Sequence, residues 1–144
     1  MAAALLWQQV SQRGEESQWQ IRSAGTWTEP GLPATQFSQA VMARRQIDLT
    51  GHRSQPLDGS LLQAANVILV MTRNHQEALQ AEFPEVGGKV YLLSQLIDRK
   101  FDIDDPFGGS LADYEVCADD IENILTHGLA RLAELADRAV STQA

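Results

Sequence analysis

Val67-Ile68-Leu69-Val70-Met71-Thr72 is the stretch from which the fold can be read. Five apolar residues in succession, without polar alternation, have the pattern of a strand covered on both sheet faces. Thr72 ends the run with a hydroxyl suited to an N-cap, and the spacing predicts a helix from there to about Phe83. Pro84 to Gly88 is a turn, after which Val90-Tyr91-Leu92-Leu93 repeats the buried-strand pattern. Strand, helix and strand in succession make a parallel sheet.

Upstream, Asp58 is placed to cap a short helix through Ala65. Before it, Ile47 to Ser54 reads as a connector containing Gly51-His52-Arg53-Ser54. Residues 34–46 read as a helix with Phe37, Ala40, Val41 and Arg44 in register. Trp27 through Pro33 holds two prolines and a glycine, the composition of an ordered loop. Trp19 to Arg22 alternates as a short strand and runs into Ser23-Ala24-Gly25-Thr26, with Gly14 and a polar run preceding it. Residues 1–13 read as a helix with Leu5, Leu6 and Val10 on one side and Gln8, Gln9 and Gln12 opposite. No capping residue or turn precedes that helix, so the chain reads as beginning inside an element. Downstream, a stripe of Tyr114, Cys117, Ile121, Ile124, Leu125, Gly128, Leu132, Leu135 and Ala136 predicts one long or slightly broken helix over about 111–140. The expected fold is one α/β domain over residues 1–144, a doubly wound parallel sheet with helices on both faces. In such sheets ligands lie beyond the carboxyl ends of the strands.

A formal charge of -8 over 144 residues argues against nucleic acid and anionic membranes as partners. No apolar run approaches a membrane span, and the opening Met-Ala-Ala-Ala lacks the basic region of a signal peptide. A cytoplasmic protein is expected. One cysteine excludes an internal disulfide, and three histidines without ligand spacing imply no metal. No cofactor is implied. A dinucleotide site fails because no G-x-G-x-x-G follows a strand. A magnesium-dependent aspartyl phosphotransferase built on Asp102-Ile103-Asp104 fails because Asp98-Arg99-Lys100 separates those acids from the strand that should present them.

The stretch with the most chemistry is Asp104-Asp105-Pro106-Phe107-Gly108-Gly109. Pro106 stiffens the backbone and pushes Asp105 toward an extended conformation, while the glycines permit a sharp turn. A carboxyl so held beside an aromatic wall is a candidate general acid, because desolvation raises its pKa. Asp102 and Asp104 read as solvated acids that add negative charge, and His75 and His127 as surface or packing residues.

Ser23-Ala24-Gly25-Thr26, Gly51-His52-Arg53-Ser54, Val70-Met71-Thr72 and Asp105-Pro106-Phe107-Gly108, in that order, resemble the low-molecular-weight protein tyrosine phosphatases over essentially the whole chain. The Phe-Gly-Gly form of the acid loop is similar to bacterial members, a group that includes a protein-arginine phosphatase and arsenate reductases. The resemblance implies hydrolysis of phosphotyrosine or phosphoarginine through a phosphocysteine, with a phosphorylated protein or small phosphomonoester as partner. It implies Asp105 as the general acid and Phe107 and Trp27 as the aromatic rim of the cleft. Ser23 and His52 either brace the phosphate-binding loop, as the resemblance implies, or are an ordinary strand-end hydroxyl and loop histidine.

The family's loop Cys-x5-Arg-Ser-Pro precedes a helix that Met1-Ala2-Ala3-Ala4-Leu5-Leu6 resembles from its first turn. The nucleophilic cysteine, the phosphate-binding arginine and the central first strand are therefore expected to be missing, through a start placed at an internal methionine. A central strand with five buried apolar residues contributes about 7–15 kcal/mol, comparable to a whole domain's stability. Cys117 cannot substitute: Asn123 stands where the arginine would be, Asp119 and Asp120 oppose a thiolate, and the position belongs to the apolar stripe. The 144 residues are thus expected to be inactive as they stand. The alternatives are a non-catalytic interaction module, binding a partner beside the 67–71 strand, and an arsenate reductase of the same family.

Overall fold

The computed structural model describes residues 1–26 and 28–143, without the side chains of 142 and 143. The chain forms two compact units: Met1–Leu57 with Asp105–Glu122, and the segment Asp58–Asp104 with the chain from Asn123.

In the first unit, α1 (Ala2–Gln12) buries Leu5, Leu6 and Val10, the apolar side its sequence predicts. Its opposite face is not simply solvated. Gln8 donates to the Arg45 carbonyl at 2.8 Å, and Gln9 to the Glu122 carbonyl at 3.4 Å. Helix α2 (Gln36–Arg44) starts on Thr35, whose hydroxyl accepts the Ser38 N–H. It buries Val41 and Met42 and leaves Phe37 43% exposed, the ring of Phe37 lying edge-on to Tyr114 at 5.6 Å. The helix ends with Gln46 at φ 60°. There the Gln46 N–H reaches the Ala43 carbonyl and the Ile47 N–H the Met42 carbonyl, the paired bonds of a Schellman motif.

The expected strand at 19–22 is not formed. After a 3-10 turn at Glu16–Gln18 the chain passes, extended at Trp19, to an isolated parallel bridge between Gly25 and Pro56. A strand exists through its ladder, and among the described residues no segment lies along 19–22 to supply one.

The second unit holds α3 (Gly59–Ala64), β1 (Ile68–Val70), α4 (Arg73–Glu82) and β2 (Val90–Leu92). The Asp58 and Thr72 side chains cap α3 and α4, as the sequence predicts. The two strands are parallel, with Ile68 opposite Val90 and Val70 opposite Leu92. Both are shorter than predicted, and only Val70 of β1 is fully buried. Among the described residues β1 has a ladder neighbour on one edge only, so the continuous cover expected for a central strand is incomplete. Lys89 Nζ donates to the carbonyls of Gln63 and Ala65, serving the orphan acceptors at the end of α3.

Helix α5 (Leu111–Gln143) is continuous, and its first turns belong to the first unit, the rest to the second. Its predicted stripe is buried at Tyr114, Cys117, Ile121, Ile124, Leu125, Leu132 and Leu135. Gly128 belongs to that stripe for a reason of size: a Cβ there would lie 2.5 Å from Leu96 Cβ and 3.1 Å from its carbonyl oxygen. Among the described residues no helix is long and apolar enough to cross a membrane.

Candidate active site

The first unit contains the acid loop from Asp105 onward together with Ser23 and His52. Trp27 lies outside the described residues. The loop is built by three local devices. Asp105 Oδ1 accepts the Phe107 N–H at 2.9 Å, an Asx turn that spans Pro106. The Gly109 N–H then reaches the Pro106 carbonyl at 2.9 Å, with Gly108 at φ 82°, as a type II turn requires of its third residue. Finally Ser110 and Asp113 cap α5 reciprocally: Asp113 Oδ2 accepts the Ser110 N–H at 2.6 Å, and Ser110 Oγ accepts the Asp113 N–H at 3.3 Å. These bonds, the Ser110 hydroxyl first, hold the Asp113 carboxyl below its ordinary range. Gly109 is required by crowding, since a Cβ would lie 2.7 Å from Asp113 Oδ2 and 3.0 Å from the Pro106 carbonyl oxygen.

Asp105 itself is exposed, and the shielding wall expected from the sequence is not there, for the Phe107 ring is 76% exposed. A loop anchored through its own backbone turns its side chains outward. Asp102, read from the sequence as a solvated acid, is instead paired. It accepts the Arg73 N–H at 3.0 Å and Arg73 Nε at 3.2 Å.

Three groups that the sequence separates widely interact in this unit. Cys117 is buried, and its thiol is pushed above its ordinary value by that burial, then by the carboxylates of Asp105 and Asp120. The α-amino group of Met1 acts on the same thiol in the opposite sense. The opening of α1, Cys117 and Asp105 are therefore electrostatic neighbours. A buried, neutral thiol is a packing group rather than a nucleophile.

Ser23 and His52 are both exposed. Their segments are zipped together by the Gly25 N–H to Gln55 and the Leu57 N–H to Gly25. The residue that organises this region is the last of the Gly51-His52-Arg53-Ser54 stretch, whose sequence does not disclose the role. Ser54 donates from Oγ to the Glu29 carbonyl at 2.5 Å and accepts the Leu32 N–H there at 2.9 Å. Its backbone N–H and carbonyl bind Leu32 and Gly31, each at 2.8 Å. A serine beside a histidine and an arginine carries no periodic signal; only the approach of the 29–32 loop makes it a clasp.

Arg45 was likewise invisible. Its guanidinium, on a side chain 14% exposed, binds Glu115, Asp119 and Glu122, which lie on one face of α5. Burial disfavours its charge, but the bonds to Glu115, Glu122 and Asp119 outweigh this and raise its pKa further. The spacing of the three acids is legible on α5; their shared partner, at the C-terminal cap of α2, is not. Asp119, expected to act on Cys117, is bound to Arg45 instead.

The sequence profile of the family described as low molecular weight phosphotyrosine protein phosphatase matches residues 1–138. A protein-arginine-phosphatase of Geobacillus stearothermophilus is 33% identical over 135 residues, 93% of this chain and 84% of that protein. A "Probable low molecular weight protein-tyrosine-phosphatase EpsP" of Ralstonia solanacearum is 39% identical over 95 residues, 66% of this chain. That match spans 64% of the Ralstonia protein's length. Among solved structures, a cysteine-to-serine mutant of the YwlE arginine phosphatase with a phosphorylated active-site serine superposes with a TM-score of 0.86 at 29% identity. The superposition covers 96% of this chain and 89% of that one.

Proposed function

This chain belongs to the low-molecular-weight phosphotyrosine protein phosphatase family, and from that premise we propose that it supplies the acid half of a protein phosphatase acting on phosphotyrosine or phosphoarginine. The observation that carries the reading is the Asp-Pro-Phe-Gly-Gly loop: an exposed carboxyl on two locked turns, whose charge acts on the same thiol, Cys117, as the Met1 amino group. In this reaction a thiolate attacks phosphorus in line while the leaving oxygen or nitrogen takes a proton from Asp105. The resulting Asp105 carboxylate then takes a proton from the water that cleaves the phosphocysteine, which restores the acid. Phe107, exposed beside it, forms the rim on which a substrate ring or guanidine rests. Ser23 and His52 brace the phosphate-binding loop.

The 144 residues contain no Cys-x5-Arg, since their one cysteine, Cys117, has Asn123 six positions on. The thiolate and the guanidinium that grips phosphate are thus not supplied by these residues. By themselves they are expected to leave p-nitrophenyl phosphate intact, and turnover by pure material would overturn this. Joined to a Cys-x5-Arg-Ser-Pro segment ahead of Met1, they should hydrolyse it, and Asp105→Asn should then lower kcat by about 10²–10⁴. An inert fusion refutes the phosphatase reading; an active one indifferent to Asp105→Asn refutes only the acid assignment.

A second reading, a non-catalytic interaction module, is favoured by one observation. Among the described residues β1 carries a ladder on one edge only, and the other is the edge to which a partner strand would add.

A further inference from the structure

The second unit carries a pocket that shares no residue with the acid loop. It is lined by Tyr91, Gln95, Asp98, Arg99, Lys100 and Arg131, with Leu135 as its one aliphatic member. Its character departs from the rest of the chain: three cations face one carboxylate in a protein of net charge -8. Arg44, Arg45 and Arg73 are each neutralised by an acid. Arg99 and Lys100, by contrast, have no carboxylate within ion-pairing distance among the described residues. Arg131 gives one nitrogen to Glu134 at 3.3 Å and is otherwise available to the pocket.

The walls are held by bonds that do not use these charges. Asp98 stands at φ 57°, which turns the chain after the 3-10 segment Leu93–Ile97. Ser94, fully buried, accepts the Phe101 N–H at 3.1 Å and donates to its carbonyl at 2.8 Å, closing the 94–101 loop. Gln95 Oε1 accepts the Leu92 N–H at 2.8 Å and a Gln76 amide at 3.3 Å, which fixes this wall of the pocket. The Tyr91 hydroxyl is tied to the Gly88 carbonyl, which fixes the ring.

We propose that this pocket binds a small phosphorylated anion. Guanidinium groups match phosphate oxygens in pairs of bonds, and two arginines with a lysine suit a multiply charged group better than a monocarboxylate. The volume, about 220 Å³, falls below the roughly 300–1,000 Å³ of pockets that enclose drug-sized molecules, which favours a compact ligand. At physiological salt screening acts within about 8 Å, so an anion in the pocket feels its cationic rim more than the distant excess of carboxylates. The inference stands apart from the phosphatase reading, because none of these residues takes part in that chemistry.

The test is titration of the isotope-labelled full chain with inorganic pyrophosphate, followed by amide chemical shifts. Saturable shifts confined to residues 91–100 and 131–135 are expected, with at least a tenfold loss of affinity in Arg99→Glu and in Lys100→Glu. Both side chains are exposed, so the fold should survive, and unchanged shifts elsewhere verify that it does. Asp98→Asn should tighten binding two- to threefold. Shifts scattered over the surface, affinity unaltered by either charge reversal, or equal affinity for citrate would overturn the proposal. Preferential capture by anionic phospholipid vesicles over pyrophosphate would do so as well.

Discussion

Gln46 is where the backbone departs furthest from what its residue prefers. A non-glycine side chain in the left-handed region costs about 1–2 kcal/mol, partly offset here because glycine loses more freedom on folding. Gln46→Gly should therefore raise stability by about 0.5–1 kcal/mol, read as a higher urea midpoint at unchanged slope, whereas Gln46→Ala should raise it by much less. Nothing in the sequence marks this position, because the usual signal at a helix end is glycine. Cys117 is the opposite case: its place in the α5 stripe already assigns it to the core, and the structure buries it. Its thiol, held above the ordinary value of 9.0 by burial and by Asp105 and Asp120, should resist iodoacetamide at neutral pH in the native protein. Modification should accelerate by at least about tenfold in denaturant; equal rates would show that the thiol is open.

At the scale of elements, α5 shows what periodicity can and cannot carry. Its buried stripe was legible residue by residue, since the 3.6-residue repeat follows from helix geometry. Why position 128 must be glycine was not. Alanine is the better helix former by about 1 kcal/mol, but its methyl would meet Leu96, including backbone atoms that cannot swing aside. The clash should win: Gly128→Ala is expected to destabilise the protein by about 1–3 kcal/mol in chemical denaturation. Arg45 joins α2 to α5 in the same way. Replacing its planar fork by a single ammonium in Arg45→Lys cannot serve Glu115, Asp119 and Glu122 together. A loss of about 1–2 kcal/mol is expected, reduced from the buried-pair range because Asp119 is largely and Glu122 partly exposed. The missing 19–22 strand belongs to this scale too. Alternation marks 19–22 as a candidate strand, but a strand also needs a neighbour, which a local pattern does not contain.

For the whole molecule, acid sensitivity follows from carboxylates held low in the fold. Asp48, Asp58 and Asp113 lie below 3.8, and Glu115 below 4.5. The causes, largest first, are the Thr50 N–H for Asp48, the Ser60 hydroxyl for Asp58, the Ser110 hydroxyl for Asp113, and Arg45 then Arg44 for Glu115. A carboxyl lowered by folding stabilises above its unfolded pKa and loses that contribution as pH falls through the folded one. The thermal midpoint should thus be nearly flat from neutrality to about pH 5 and fall progressively below the ordinary carboxylate range, a midpoint rising toward pH 3 being the contrary result. The sequence alone determined the parallel strand–helix–strand unit, the caps at Asp58 and Thr72, the apolar face of α5 and the membership of Asp105 in a stiff loop. Each is set by neighbours within a few turns, through steric and hydrogen-bonding rules that act over that range. The tertiary structure alone decided that Asp105 and the Met1 amino group both act on Cys117, that Ser54 clasps the 29–32 loop, and that Arg45 gathers three acids. Those pairings depend on which distant segments pack together, and the free energy of that packing is a property of the folded chain rather than of any local stretch.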